Sequence, residues 1–289
     1  MRTESLNKIL KPAGVLFDEV GHTYTAENGD LYTGCTTISE AWDKSFFLGP
    51  WHAKEMANFI LSQPYDQVIK LSPPEFEKFI LDAKGAARRV GDKAKNDGKA
   101  ANEWVGGMIS AKISGKGKKP IMPESKESQN AINAFIAWAK KQKIEWLASE
   151  EVVASHEQKV AGTLDAIAVI DGLTYLVDFK TSGQISASYL LQCAGYDVML
   201  REMGMQVMGY LILRIPKDGK EAETLTITNA DDMKFFRETF LKQREAHKFY
   251  SYMDAKFKNE IGKMKVDEKI APVTVKPKKV VRKKVMRKK

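Results

Sequence analysis

Gly162-Thr-Leu-Asp-Ala-Ile-Ala-Val-Ile-Asp-Gly-Leu-Thr-Tyr-Leu-Val-Asp-Phe-Lys180 consists of two apolar runs joined by Asp171-Gly172. An Asp-Gly pair between hydrophobic runs is a strong local signal for a two-residue hairpin turn, because both turn positions need positive φ. With Asp171 and Gly172 as the loop, Ile170 faces Leu173, and counting back along both strands sets Asp165 opposite Asp178. Facing Cβ atoms in an antiparallel pair lie about 4.5–5.5 Å apart, so two carboxylates there repel unless a cation separates them. A divalent metal resolves that conflict. Period-2 alternation adds Lys180 to the face of Leu176 and Asp178 and puts Val177 and Phe179 on the other.

Asp-x-Lys alone says little, since it recurs at Asp82, Asp97, Asp218, Asp232, Asp254 and Asp267. Only the copy at Asp178 ends a run of β-branched, aromatic and aliphatic residues; the others read as solvated helix or loop. The plain alternative for Asp178 and Lys180 is a structural ion pair at a strand end.

The chain has 289 residues, 43% of them hydrophobic, enough for one large core or two modest ones. Residues 1–270 are expected to form a single domain, with 1–145 mainly helical and 146–255 the core. No apolar stretch approaches the length of a membrane span, and the first residues lack the apolar segment of a secretory signal, so a cytoplasmic protein is expected. Cys35 and Cys193 are too few for a disulfide framework or a four-cysteine iron–sulfur cluster. The formal charge of +9 is concentrated at the end: nine of the 46 Lys and Arg lie in the last fourteen residues, and the other 37 match 37 Asp and Glu. The stretch 271–289, with Lys283 and Lys284, reads as a disordered basic tail that holds a polyanion by counterion release.

Around the hairpin, short strands are expected at Gly14–Asp18, His22–Thr25 and Leu31–Ile38. Helices are expected at Trp51–Leu61, Pro74–Ala83, Ala86–Ile113 (weakened by four glycines) and Ser125–Gln142. Ser149–Ala154 begins the first core strand. A helix follows the hairpin at Ala187–Met203, strands at Val207–Ile215 and Glu223–Thr228, and a final helix at Asp231–Met253. This order implies an α/β fold with a mixed sheet covered by helices on both faces. Tyr189, Gln192 and Tyr196, spaced three, four and seven apart, share one face of the first of these helices. A core-facing stripe with one satisfied amide is their alternative reading.

The ordered set of Glu150, Gly162 with Asp165, Asp178-Phe179-Lys180-Thr181, and Gln192 with Tyr196 resembles the PD-(D/E)XK nuclease superfamily, in its RecB-like and phage-exonuclease branch. His22-Thr-Tyr24, Thr36-Thr-Ile38 and Trp51 are similar to the front of phage and mitochondrial genome-maintenance exonucleases. Gly98-Lys-Ala-Ala-Asn102 resembles their Gly-x-x-x-His helix, with Asn102 in place of His. The resemblance implies a restriction-endonuclease-like core and a metal-dependent DNA exonuclease, phage-encoded and serving recombination, replication or end processing. Endonucleases and DNA-binding accessory proteins with a vestigial centre are the alternatives. Asp165 and Asp178, with the Phe179 carbonyl and Glu150, would ligate Mg²⁺ or Mn²⁺, and Lys180 would position and activate the attacking water. Glu151 competes with Glu150 for the third acidic position, and family spacing favours Glu150. Gln192 would contact Lys180 or a DNA phosphate with Tyr196 supporting it; Thr181, Tyr189 and Asn102 would line the site. DNA ends are the implied partner, with a single-strand-binding or annealing protein alongside. The chain has no Gly-x-x-x-x-Gly-Lys-Ser/Thr loop, so no use of ATP is implied.

Overall fold

A computed structural model describes residues 1–41, 45–115 and 119–264, without the side chains of 45–47 and 259–264. The expected basic tail, including Lys283 and Lys284, lies outside the described residues. Packing divides the chain into two units, Met1–His247 and Lys248–Lys289. All strands belong to the first unit, and the described part of the second is the final stretch of the last helix.

The elements follow one another as α1 (Glu4–Asn7), β1 (Val15–Asp18), β2 (Thr23–Ala26), β3 (Leu31–Gly34), α2 (Cys35–Ser39), α3 (Ser45–Leu61), α4 (Tyr65–Val68), α5 (Pro73–Lys84), α6 (Ala86–Ser114) and α7 (Lys126–Lys140), then β4 (Ile144–Ser155), β5 (Val160–Ile170), β6 (Leu173–Lys180), α8 (Ala187–Glu202), β7 (Gly209–Arg214), β8 (Glu223–Ile227) and α9 (Ala230–Met264). The expected mixed α/β architecture is observed: eight strands form one mixed sheet in the order β1-β2-β3-β5-β6-β7-β8, with β4 also paired to β5. No helix among the described residues is long and apolar enough to cross a membrane.

Several boundaries differ from expectation. The third front strand stops at Gly34, where α2 begins. β4 starts at Ile144 rather than Ser149, because Ile144, Glu145 and Trp146 already pair with Ile170, Val169 and Ala168. α6 runs unbroken through its glycines, and α9 extends to Met264. In α6 tertiary packing overrides weak propensity: Ala101, Val105 and Ile109 form a stripe buried to 2% exposure or less.

The hairpin takes the expected register, with Ile170 opposite Leu173 and Ala166 opposite Val177. Asp171 and Gly172 both have positive φ (50° and 81°), as a type I′ turn requires. Alternation along β6 then divides its side chains between two cores. Tyr175, Val177 and Phe179 join Trp104, Phe135 and Trp146 under α6 and α7, while Leu176 packs with Cys193, Tyr196 and Met199 of α8. Asp178 and Lys180 therefore emerge on the α8 side. Full burial of a ring such as Phe179 contributes about 1.5–3 kcal/mol, which anchors the strand carrying both groups.

Candidate active site at a fork in the sheet

β5 has different neighbours on its two edges. β4 accompanies it from Val160 to Ile170 on one edge, while the other pairs with parallel β3 at Val160 and Ala161 and with antiparallel β6 only from Ala166 onward. Gly162 to Asp165 therefore lie in a fork between β3 and β6. Backbone groups exposed by such a gap must find other partners. The Asp165 carboxylate accepts the Phe179 N–H at 2.7 Å, replacing a ladder bond, and the Tyr196 hydroxyl donates to the Thr163 carbonyl at 2.9 Å.

Asp178 and Asp165 sit together in this fork. Asp178 is 2% exposed; one of its oxygens accepts from Lys180 Nζ at 2.8 Å, and the other, Oδ2, is buried with no hydrogen-bond partner. Burial and then the neighbouring Asp178 charge raise the Asp165 carboxyl from 3.8 to about 7. Asp178 is also raised, by burial, against the opposing pull of Lys180. Burial alone would lower the Lys180 ammonium, but Asp178 and then Asp165 outweigh it and hold the pKa above its ordinary value. One ammonium therefore faces two carboxylates, and the buried Asp178 Oδ2 has no hydrogen-bond partner.

Lys180 is held from a second direction. Its Nζ donates to Gln192 Oε1 at 3.0 Å and stands 4.9 Å from the centre of the Tyr189 ring. Gln192 Nε2 donates in turn to the Tyr196 hydroxyl at 3.1 Å and to Thr36 Oγ1 at 3.4 Å. A continuous chain thus runs from Lys180 through Gln192 and Tyr196 to the Thr163 carbonyl. Thr36 and Thr163 were not assigned to the centre from sequence; Thr36 enters because α2 follows β3 to the fork, and Thr163 because its carbonyl accepts from Tyr196.

Glu150 and Glu151 take different surroundings. Glu151 accepts from Arg2 Nε at 2.7 Å, with Arg2 Nη2 also at 2.7 Å and the N-terminal amine at 3.6 Å. Glu150 has φ of 50° and lies across from Asp165, between the pairs Ser149–Ala166 and Glu151–Leu164. Its side chain is open to solvent on one side, yet crowding by protein atoms raises its carboxyl, with Glu103 adding to the rise. Its charge is also felt at Asp165.

α6 forms the wall behind these groups. A Cβ at Gly98 would stand 2.5 Å from Thr181 Oγ1, and one at Gly106 would stand 2.7 Å from Glu150 Oε1. Asn102, midway between the two glycines at helical spacing, has a buried Oδ1 with no hydrogen-bond partner. The eight-residue glycine interval around Asn102 was the available sequence signal for this close approach.

Hard oxygen donors suit Mg²⁺ or Mn²⁺, and the partnerless Asp178 Oδ2 beside the Asp165 carboxyl fits such an ion. Among the described residues, no three His, Cys, Asp or Glu side chains are grouped as a metal cage. Asp165 and Asp178 would hold such an ion, which commonly takes water or a substrate phosphate as its other ligands.

No protein-family model matches the chain, and no curated protein sequence matches it. Among solved structures, the alkaline exonuclease LHK-Exo from Laribacter hongkongensis aligns with a TM-score of 0.27 and 12% identity over 54% of this chain and 85% of its own. LHK-Exo in complex with dAMP gives 0.27 and 11% over the same shares. SSO0001 gives 0.23 and 12% over 41% of this chain and 61% of its own. At these scores the likeness carries no residue roles.

Proposed function

We propose that this chain is a nuclease that hydrolyses DNA phosphodiesters with a divalent cation held by Asp165 and Asp178. The observation that supports the reading best is the buried, partnerless Asp178 Oδ2 next to Asp165 in the fork, with Lys180 fixed beside it. Mutually repelling carboxylates impose a cost that a structural ion pair would not require, since one acid would satisfy Lys180. When bound, Mg²⁺ or Mn²⁺ would lower the pKa of water and offset charge on the phosphorus. Lys180, oriented by Asp178 and Gln192, would present a cation to the attacking oxygen and the phosphate. Gln192 and Tyr196 would fix its rotamer, and Glu150, across from Asp165 on β4, would orient water. Thr181 and Asn102 would line the path of the strand along α6.

The ordered motifs favour an exonuclease within this reading. The test is incubation of end-labelled linear duplex, linear single strand and closed circular duplex with Mg²⁺ or Mn²⁺. Cleavage of the linear forms with the circle spared is expected. Equal cleavage of the circle would make the enzyme an endonuclease, and no cleavage of any form in either metal would overturn the proposal.

A further inference from the structure

A pocket of about 470 Å³ opens between α6 and α7, away from the carboxylates. Its aromatic lining is Trp104 from α6, Phe135 from α7 and Trp146 from β4, and Lys112, Lys119 and Lys140 stand around it. Trp104 is only 8% exposed, and its indole N–H is buried without a hydrogen-bond partner. No acidic residue lines the pocket, and among the described residues none of the three lysines is held in an ion pair.

We infer that this pocket docks an acidic peptide segment of a partner protein, which inserts one aromatic or large aliphatic side chain. The aromatic floor takes the apolar side chain, and the lysines face the flanking acids. A nucleobase fits less well. Its polar edge carries donors as well as acceptors, and the side chains of the wall are aromatic, aliphatic or donors only, so the donors of the base would be buried unpaired. The inference does not depend on the nuclease reading.

The test uses the full chain and a fluorescein-labelled peptide of glycine and aspartates ending in phenylalanine, followed by anisotropy. Saturable binding is expected, weakened about tenfold or more by Lys112→Glu with Lys140→Glu, and equally by replacing the peptide's phenylalanine with alanine. Should the double lysine variant fail to fold, Lys140→Gln and a salt titration of the unmodified chain replace it. The inference is overturned by the absence of saturable binding, by binding indifferent to the lysines, or by displacement of the peptide by an oligothymidylate.

Discussion

Removing one carboxyl from the fork should alter how stability depends on pH, and Asp165→Asn is the suitable change because the amide oxygen can still accept the Phe179 N–H. In the metal-free chain Asp165 is raised from 3.8 to about 7, so between those values the folded state binds a proton that the unfolded state has released. Stability therefore falls as pH rises from about 4 to 7 and levels off above. At about 1.4 kcal/mol per unit the full shift corresponds to roughly 4 kcal/mol; Asp165 is only partly buried, so about 2–4 kcal/mol is expected. Carboxylates held low by surface partners, such as Asp30 and Asp97, contribute slope only below this window. His247, lowered by burial and then by Arg244, slopes the other way but equally in both proteins. Urea denaturation in EDTA at pH 5, 6, 7 and 8 measures the difference. Wild type should lose stability toward pH 8 relative to Asp165→Asn, and Asp178→Asn should also flatten the curve, since the proton belongs to the pair. Parallel profiles for wild type and Asp165→Asn would refute the reasoning.

Three further outcomes follow from the surroundings of Glu151, Glu150 and Gly195. Glu151→Gln should destabilise the fold by about 1–3 kcal/mol in thermal melts through its Arg2 pair yet leave DNA cleavage intact, whereas Glu150→Gln should leave the melt nearly unchanged and slow cleavage about tenfold or more. Gly195→Ala should cost about 1–3 kcal/mol or more in urea denaturation, because its Cβ would lie 2.5 Å from the Phe240 ring and 2.6 Å from Cys35 Sγ with core on both sides.

The hairpin could be read from sequence because its determinants are local: a turn that needs two positive φ angles, and alternation that divides Leu176 from Val177. The proximity of Asp165 and Asp178 follows from that register. Their departure from a regular ladder does not, since it depends on β3 arriving in parallel at Val160 from more than a hundred residues upstream. Beyond family spacing, nothing local divides Glu150 from Glu151 for the same reason: Arg2 and the N-terminal amine hold Glu151, and neither is near it in sequence. The extent of α6 shows a further limit. Its glycines read as weak points, yet Gly98 and Gly106 are where the helix comes within contact of Thr181 and Glu150. The pocket beside Trp104 likewise arises from three elements whose residues look like ordinary core in isolation.

Single-turnover cleavage of end-labelled linear DNA with Mg²⁺, comparing wild type with Asp178→Ala and Lys180→Ala, tests the central claim most directly. Both variants should retain the wild-type circular dichroism spectrum and lose cleavage by on the order of 10³-fold, as expected when a group that stabilises transition-state charge is removed. Wild-type rates in either folded variant would contradict the account.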